Sequence, residues 1–503
     1  MSLIAASTGE RQVQRLRANS LGLTDVVFMV VATAAPITAM TGTVPILVGY
    51  GNGTGAPAGY LVALAILLLF SVGYVMMAKH ITSTGAFYGY ISQGLGPSWG
   101  MASGLLTVIT YIAFEAAVAG IFASFADTFF RDQFGLSIPW PIYAAAFFGI
   151  NAFLGHKDIQ LASKVLIVLL ISEVSILALT TVAVFADGGG PDGIPLSSIN
   201  PINAFEGPSP SLALFFAFAS WVGFEATAMY GEESREPKKI IPRATFIAVI
   251  GIGIFYVLVS WAAISANGLA GSVEIAQNDP FGLFFGPSRH YFGEWSVFVM
   301  QLLMMTGSIA CGSAFHNSAS RYLYAMGREG FFHRRLGHTH RKHGSPYFAS
   351  FVETLIGVVI VGLFWLFDQD PYLGIFTLLS LLGTVSILVV QILCSGAVIG
   401  YFSRHHKESR HWFKTLLAPI LGGAGMVWML VLLIQNLSAA AGEASDTLFF
   451  KSIPWIVIGA FVLGMGLVLY LKKARPDRYA AIGKIVMDDA AERDELPPLK
   501  QIV

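Results

Sequence analysis

Polar punctuation divides this chain into twelve predominantly apolar stretches, each near the roughly 20 residues a helix needs to cross the hydrocarbon core of a bilayer. They run Leu23 to Gly49, Pro57 to Ala78, Ser98 to Phe125, Ile138 to Leu154, Ser163 to Phe185, Leu212 to Tyr230, Ile241 to Ser265, Ser296 to Tyr324, Phe348 to Phe367, Tyr372 to Ile399, Leu416 to Leu437 and Pro454 to Leu471. The pattern predicts an all-α integral membrane protein with twelve spans. A polar leader of residues 1–22 precedes a transmembrane domain of 23–471, and a solvated tail of 472–503 follows it.

Charge supplies direction. Cytoplasmic loops of membrane proteins retain Lys and Arg. Of the 30 such residues, only Arg131, Arg289 and Lys451 fall in one alternate set of loops, and all the others lie in or beside the set that includes both ends. A missed or extra span would invert this division from that point onward. Both termini are therefore predicted to be cytoplasmic, in an inner or plasma membrane. The leader, with Arg11, Arg15 and Arg17, lacks the apolar core and cleavage site of a signal peptide.

Composition agrees: 55% of residues are hydrophobic and 12% charged, with a mean hydropathy of +0.67. That surplus of apolar surface needs lipid as its solvent. A net charge of +0 gives no field for nucleic acid. Cys311 and Cys394 lie inside apolar runs and read as small buried hydrophobes. No loop exceeds about thirty residues, whereas a non-transporting receptor or subunit calls for a substantial extramembrane domain. Clustered nucleophile, base or metal ligands near one face are absent, so an enzyme is not expected. His333, His338, His340 and His343 share a basic loop without acidic or cysteine partners at ligand spacing, and read as solvated surface rather than metal ligands. No cofactor is expected.

Two spans carry interruptions. The first holds Ala35, Pro36, Ile37, Thr38, Thr41 and Gly42 in mid-run; proline removes a helical hydrogen bond and clashes with the preceding turn. The sixth clusters Ala219, Ser220, Trp221, Val222, Gly223 and Phe224 before an intramembrane Glu225. Each feature alone is compatible with a kink or with close packing. Freed backbone at mid-depth survives only where it lines a cavity or protein interior. Interrupted spans five apart point to inverted repeats, about 23–185 and 212–399, around a midplane binding site. The spans at 416–437 and 454–471 would be peripheral.

Four stretches carry a resemblance to the amino acid, polyamine and organocation permease superfamily, covering Leu21 to Leu471. They are Leu21-Gly22-Leu23-Thr24-Asp25; a glycine and tyrosine loop from Thr82 to Tyr90 followed by Leu95-Gly96; Gly223-Phe224-Glu225 continuing through Gly231 to Lys239 and Pro242-Arg243-Ala244; and Asn317 to Gly330. The resemblance implies a leucine-transporter-type core of ten helices, 5+5 inverted, plus two C-terminal helices. It further implies alternating access and secondary transport of an amino acid or amine, without nucleotide; no G-x-x-x-x-G-K-[ST] loop is present. Where many relatives hold a substrate carboxylate on a glycine-small-glycine turn, this chain has Pro36-Ile37-Thr38, and proline has no N–H to donate. A substrate with an amine and no carboxylate is therefore an alternative to an amino acid. The coupling ion is expected to be a proton; sodium coupling and exchange of two solutes are the alternatives.

Intramembrane carboxylates are costly and mark function by default. Glu225 is the expected proton carrier, as the matching glutamate is in some relatives, or else a structural acceptor between helices. Glu173, aligned near a position that is often lysine in relatives, is the second proton or cation candidate. Glu115, beside Tyr111 in the third span, is placed with the substrate site or in helix-to-helix bonding. Trp221 and Phe224 are candidates for an aromatic gate, with packing as the plainer role. Glu353, near the start of a helix, is expected to need no more than the helix dipole. The charged run from Glu232 to Arg243 is expected to form an intracellular latch.

Overall fold

Among the described residues, eleven helices are long and apolar enough to cross a membrane, and a shorter apolar helix at Trp140–Leu154 completes the twelve expected spans. The structure, a computed structural model, describes residues 21–82, 85–156, 159–339, 345–404, 406–436, 447–476, 479 and 482, with the side chains of 155–166 excluded. Arg11, Arg15, Arg17, Ser83, Thr84, His340, His343, Leu437, the side chain of Lys164 and most of the tail lie outside these residues.

The first span comprises α1 (Leu23–Ala34) and α2 (Pro36–Tyr50), the second is α3 (Ala56–Ala78), and a short helix α4 (Ala86–Leu95) precedes the third, α5 (Pro97–Phe134). The fourth and fifth are α6 (Trp140–His156) and α7 (Ile159–Ala186). The sixth begins as α8 (Pro210–Ala219), and the seventh is α9 (Pro237–Asn267). Short helices α10 (Leu269–Asn278) and α11 (Gly282–Phe292) lead to the eighth span, α12 (Glu294–Arg328). The ninth to twelfth are α13 (Tyr347–Leu366), α14 (Thr377–Arg404), α15 (Ala418–Gln435) and α16 (Leu448–Ala474).

The third span is the central post. It has 38 residues, about 57 Å at 1.5 Å per residue, and packs along the eighth, tenth and twelfth spans. Its buried small residues, among them Ala113, Ala116, Ala117 and Ala119, let those neighbours approach closely. The ninth and twelfth spans, by contrast, expose Phe351, Leu355, Trp455 and Val462, as lipid-facing helices do.

Two local readings change. The glycine and tyrosine stretch is not a loop beyond Gly85: Ala86 to Leu95 is helical, with Phe87, Tyr88, Tyr90 and Ile91 buried against the third and tenth spans. Gly96, at φ 109°, ends that helix and turns the chain directly into α5. The segment between the seventh and eighth spans carries α10 and α11, which are too short and polar to register as spans.

Both interruptions are present, but the first is not where proline and glycine would centre it. Pro36 opens α2 as its first residue, where its missing N–H costs nothing. Its ring keeps the residue before it from continuing the α-helix, and Ala35 there sits at φ 42°, ψ 74°, in the left-handed region. Gly42 stays helical within α2; its role is close packing, since a Cβ there would press on Ile121 and Phe376. In the sixth span the α-helix stops at Ala219, turns through Ser220 to Gly223, and resumes as a 3₁₀ segment, Phe224–Tyr230. Gly223 has φ 112°, and a Cβ would strike the Thr33 side chain of the first span, so only glycine fits.

Candidate functional site

The two interruptions meet across the seventh span. Tyr256 Oη donates to the Ala34 carbonyl at 2.9 Å and lies 3.2 Å from the Ser220 carbonyl. These carbonyls end α1 and α8, where helical partners run out. A polar cluster joins the same region to the second span: Thr43 Oγ1 is 2.9 Å from Tyr60 Oη and 3.2 Å from Ser220 Oγ. Cys311 of the eighth span donates to the Thr33 carbonyl at 3.2 Å, a buried thiol used as a weak donor.

At the start of α2 the chain supplies a carboxyl group of its own: the Glu173 side chain lies beside the Ile37 backbone, just after Pro36. Thr38 Oγ1 is 3.3 Å from Ser308 Oγ. Thr41 Oγ1 donates to the Ile37 carbonyl at 2.7 Å, within its own helix, and the Gly42 carbonyl accepts from Tyr372 Oη at 2.8 Å.

At the sixth-span turn, Glu225 folds back over the break. Its Oε2 accepts from the Gly223 N–H at 3.1 Å, and its Oε1 accepts from Tyr111 Oη of the third span at 3.0 Å. Tyr74 Oη donates to the Glu225 backbone carbonyl at 2.6 Å. Trp221 Nε1 donates to the Val249 carbonyl at 3.3 Å, and its ring packs 5.3 Å from that of Tyr256. Trp221, Val222 and Phe224 line a cleft against Thr384 and Gln391 of the tenth span, with no room for a water molecule. Ala35, Pro36, Ala219 and the rest of the expected site residues at both breaks are buried.

Glu115 belongs elsewhere. It faces His316 of the eighth span at 3.2 Å rather than either break, although Tyr111, one helical turn earlier, does reach Glu225. The Glu353 side chain is fully buried and pairs with the same imidazole, so dipole stabilisation at a helix start does not account for it.

The charged run expected to form a latch pairs with the eighth span. Arg321 holds Glu233 at 2.9 Å, both side chains 5% exposed, and lies over the Tyr230 ring at 5.0 Å. Arg328 reaches Glu232 at 3.5 Å. Residue 21 is pinned to this corner, with the Leu21 N–H donating to the Glu233 carbonyl and the Arg235 N–H to the Leu21 carbonyl, each at 3.0 Å. Within the run itself the exposed Glu236 and Lys239 pair, and the neighbouring ammonium lowers the Glu236 carboxyl from its ordinary range. His333 and His338 are exposed, as expected of solvated surface.

The profile of the family described as "Amino acid permease" matches residues 21–466. The chain belongs to this permease family. It is similar to the branched-chain amino acid permease BcaP of Bacillus subtilis (strain 168), 24% identical over 94% of this chain and 96% of the relative. It is also similar to the low-affinity putrescine importer PlaP of Escherichia coli (strain K12), 24% identical over 82% of this chain and 88% of the relative. The histidine permease HisP of Lactococcus lactis subsp. cremoris (strain MG1363) is 25% identical over 63% of this chain and 67% of the relative. The permease is thus a multi-pass membrane transporter and not an enzyme.

Sequence reasoning about the permease missed four contributors. Tyr256, Tyr60, Ser308 and His316 each join spans far apart in the chain, and none sits in a motif. His316 alone left a signal, an ionisable ring in the middle of a span.

Proposed function

We propose that this permease takes up an amino acid or related amine across the plasma membrane, driven by protons, by alternating access around the breaks in its first and sixth spans. The observation that carries the reading is the junction at Tyr256, where the carbonyls freed at both breaks converge. Backbone and hydroxyl groups of Ala35 to Thr38 and Ala219 to Gly223 would hold the substrate's polar groups, with Trp221 and Phe224 closing over them. The inverted-repeat halves at 23–185 and 212–399 would rock about this centre, both termini remaining cytoplasmic.

Glu225 is assigned the proton. As a carboxylate it accepts from Gly223 and Tyr111. Once protonated, one oxygen becomes a donor, so the bond with Tyr111 reverses or the bond from the Gly223 N–H weakens. Proton binding is thereby linked to the shape of the sixth-span turn.

Glu173 favours a second reading of the substrate. Its carboxyl group lies beside the Ile37 backbone, where a substrate carboxylate would have to sit. A buried acceptor there that can give up its proton suits an ammonium, and hence an amine without a carboxylate, and one similar protein is a putrescine importer. Uptake into proteoliposomes of labelled branched-chain amino acids, histidine and putrescine, under an imposed pH or sodium gradient, tests both readings. Saturable uptake accelerated by an inward proton gradient is expected; uptake of none of them, or acceleration by sodium alone, would sink the proton-driven proposal.

A further inference from the structure

Three ionisable side chains that the proposed cycle does not use meet between the third, eighth and ninth spans. Glu115, His316 and Glu353 are each at most 1% exposed, and their ligand atoms lie within 4.8 Å of one another. His316 Nδ1 faces Glu115 Oε1 at 3.2 Å and pairs with Glu353 Oε2, while Nε2 is 2.6 Å from Ser350 Oγ. Glu115 Oε2 and both Glu353 carboxyl oxygens are buried without a hydrogen-bond partner among the described residues, the approach of Nδ1 to Glu353 Oε2 being an ion-pair contact without hydrogen-bond geometry.

Charge balance restricts what this cluster can be. Two carboxylates beside a neutral imidazole would leave two uncompensated negative charges in the membrane interior, a state that proteins avoid by pairing or by neutralisation. An imidazolium balances one of them. A single Nδ1–H cannot serve both glutamates, and the other carboxyl becomes neutral by keeping a proton, whose O–H supplies a donor that the unpartnered oxygens lack. Among the described residues, the neighbours contribute polar groups rather than further charge. The fourth span contributes Asn151, which pairs with Ser313 of the eighth, and the tenth approaches the same stretch of the third span through Gly383. His316 is the basic group that faces Glu115.

We propose that Glu115, His316 and Glu353 form a proton-binding site, separate from the carboxylates at the helix breaks, in which an imidazolium is held between one carboxylate and one neutral carboxyl. The site ties the otherwise lipid-facing ninth span to the third and eighth. Its proton exchanges with solvent only when α13 parts from α5 and α12, because none of the three side chains reaches the surface. The assignment concerns proton binding alone and holds whichever solute is carried.

The test uses the full chain reconstituted in lipid near neutral pH. Infrared difference spectra of the parent against Glu115→Gln and against Glu353→Gln are each expected to show loss of a protonated-carboxyl band. Nitrogen NMR with labelled histidine is expected to show one ring with both nitrogens protonated, identified by its shift in Ser350→Ala, a variant that removes only the Nε2 partner. Elemental analysis is expected to find no metal that His316→Ala removes. A neutral His316 ring overturns the proposal even if the glutamine variants fail to fold. So does a carboxyl band unchanged in both variants, or one equivalent of metal lost with His316, which would make this a cation site instead.

Discussion

Gly307 leaves the space that the Glu173 carboxylate fills: a Cβ at that position would come within 2.6 Å of Oε1 and 2.9 Å of Oε2. The atoms in conflict are the far end of a side chain, so Gly307→Ala is expected to fold while displacing the carboxylate from Ile37. Uptake of an amine substrate should fall by about tenfold or more, equivalent to about 1.4 kcal/mol. Because the two residues touch, Gly307→Ala in a Glu173→Gln background should add much less than it does alone. Additive effects on initial uptake rates would separate Gly307 from Glu173.

Glu225→Gln keeps one acceptor oxygen, for the Gly223 N–H, turns its amide nitrogen as a donor toward the Tyr111 oxygen, and removes the titrating group. The variant should reach the membrane folded, bind substrate, and lose the response of uptake to an imposed pH gradient. A pH–rate profile matching the parent would transfer proton coupling away from Glu225. The same measurement on Glu353→Gln distinguishes the break from the Glu115–His316–Glu353 cluster.

The spans were legible because length and apolarity alone decide them: an unpaired backbone in lipid leaves a helix as the only economical answer for each run. The sixth-span break was legible at Gly223, where backbone conformation and the neighbouring Thr33 demand glycine. The first break falls at Ala35–Pro36, inside the stretch marked by the sequence, because a proline keeps the residue before it from continuing the helix, while Gly42 remains helical. Glu115 could not be placed from its own span: its partner, His316, is 201 residues away, and only packing of the third against the eighth brings them together. Helix α4 was hidden by its glycines and hydroxyl groups, which read as a loop until Phe87 and Tyr90 find a buried surface.

Tyr256→Phe removes one hydroxyl from the junction of the two breaks and leaves the Ala34 and Ser220 carbonyls short of a donor. Losing a buried partner costs about 1–3 kcal/mol. Thermal unfolding in detergent should move down by a few degrees, and uptake should fall more than stability if the junction sets break geometry. Parent-like uptake together with lowered stability would limit Tyr256 to a packing role.

Arg321 and Glu233 close the end of the bundle expected to face the cytosol, and the pair is buried enough for desolvation to matter. Arg321→Met would strand the Glu233 carboxylate beside the Leu21 and Arg235 backbone, and breaking such a pair costs about 3–5 kcal/mol. The double variant Arg321→Met/Glu233→Leu removes both charges and should recover most of that loss, since an apolar pair of similar volume does not need the compensation. If the latch also holds the transporter closed on this side, the double variant should label faster than the parent at a cysteine introduced at Ala228, in the 3₁₀ segment behind the pair. Recovery of stability with unchanged labelling would make the pair structural, and failure to recover would show that Arg321 acts through its contact with the Tyr230 ring.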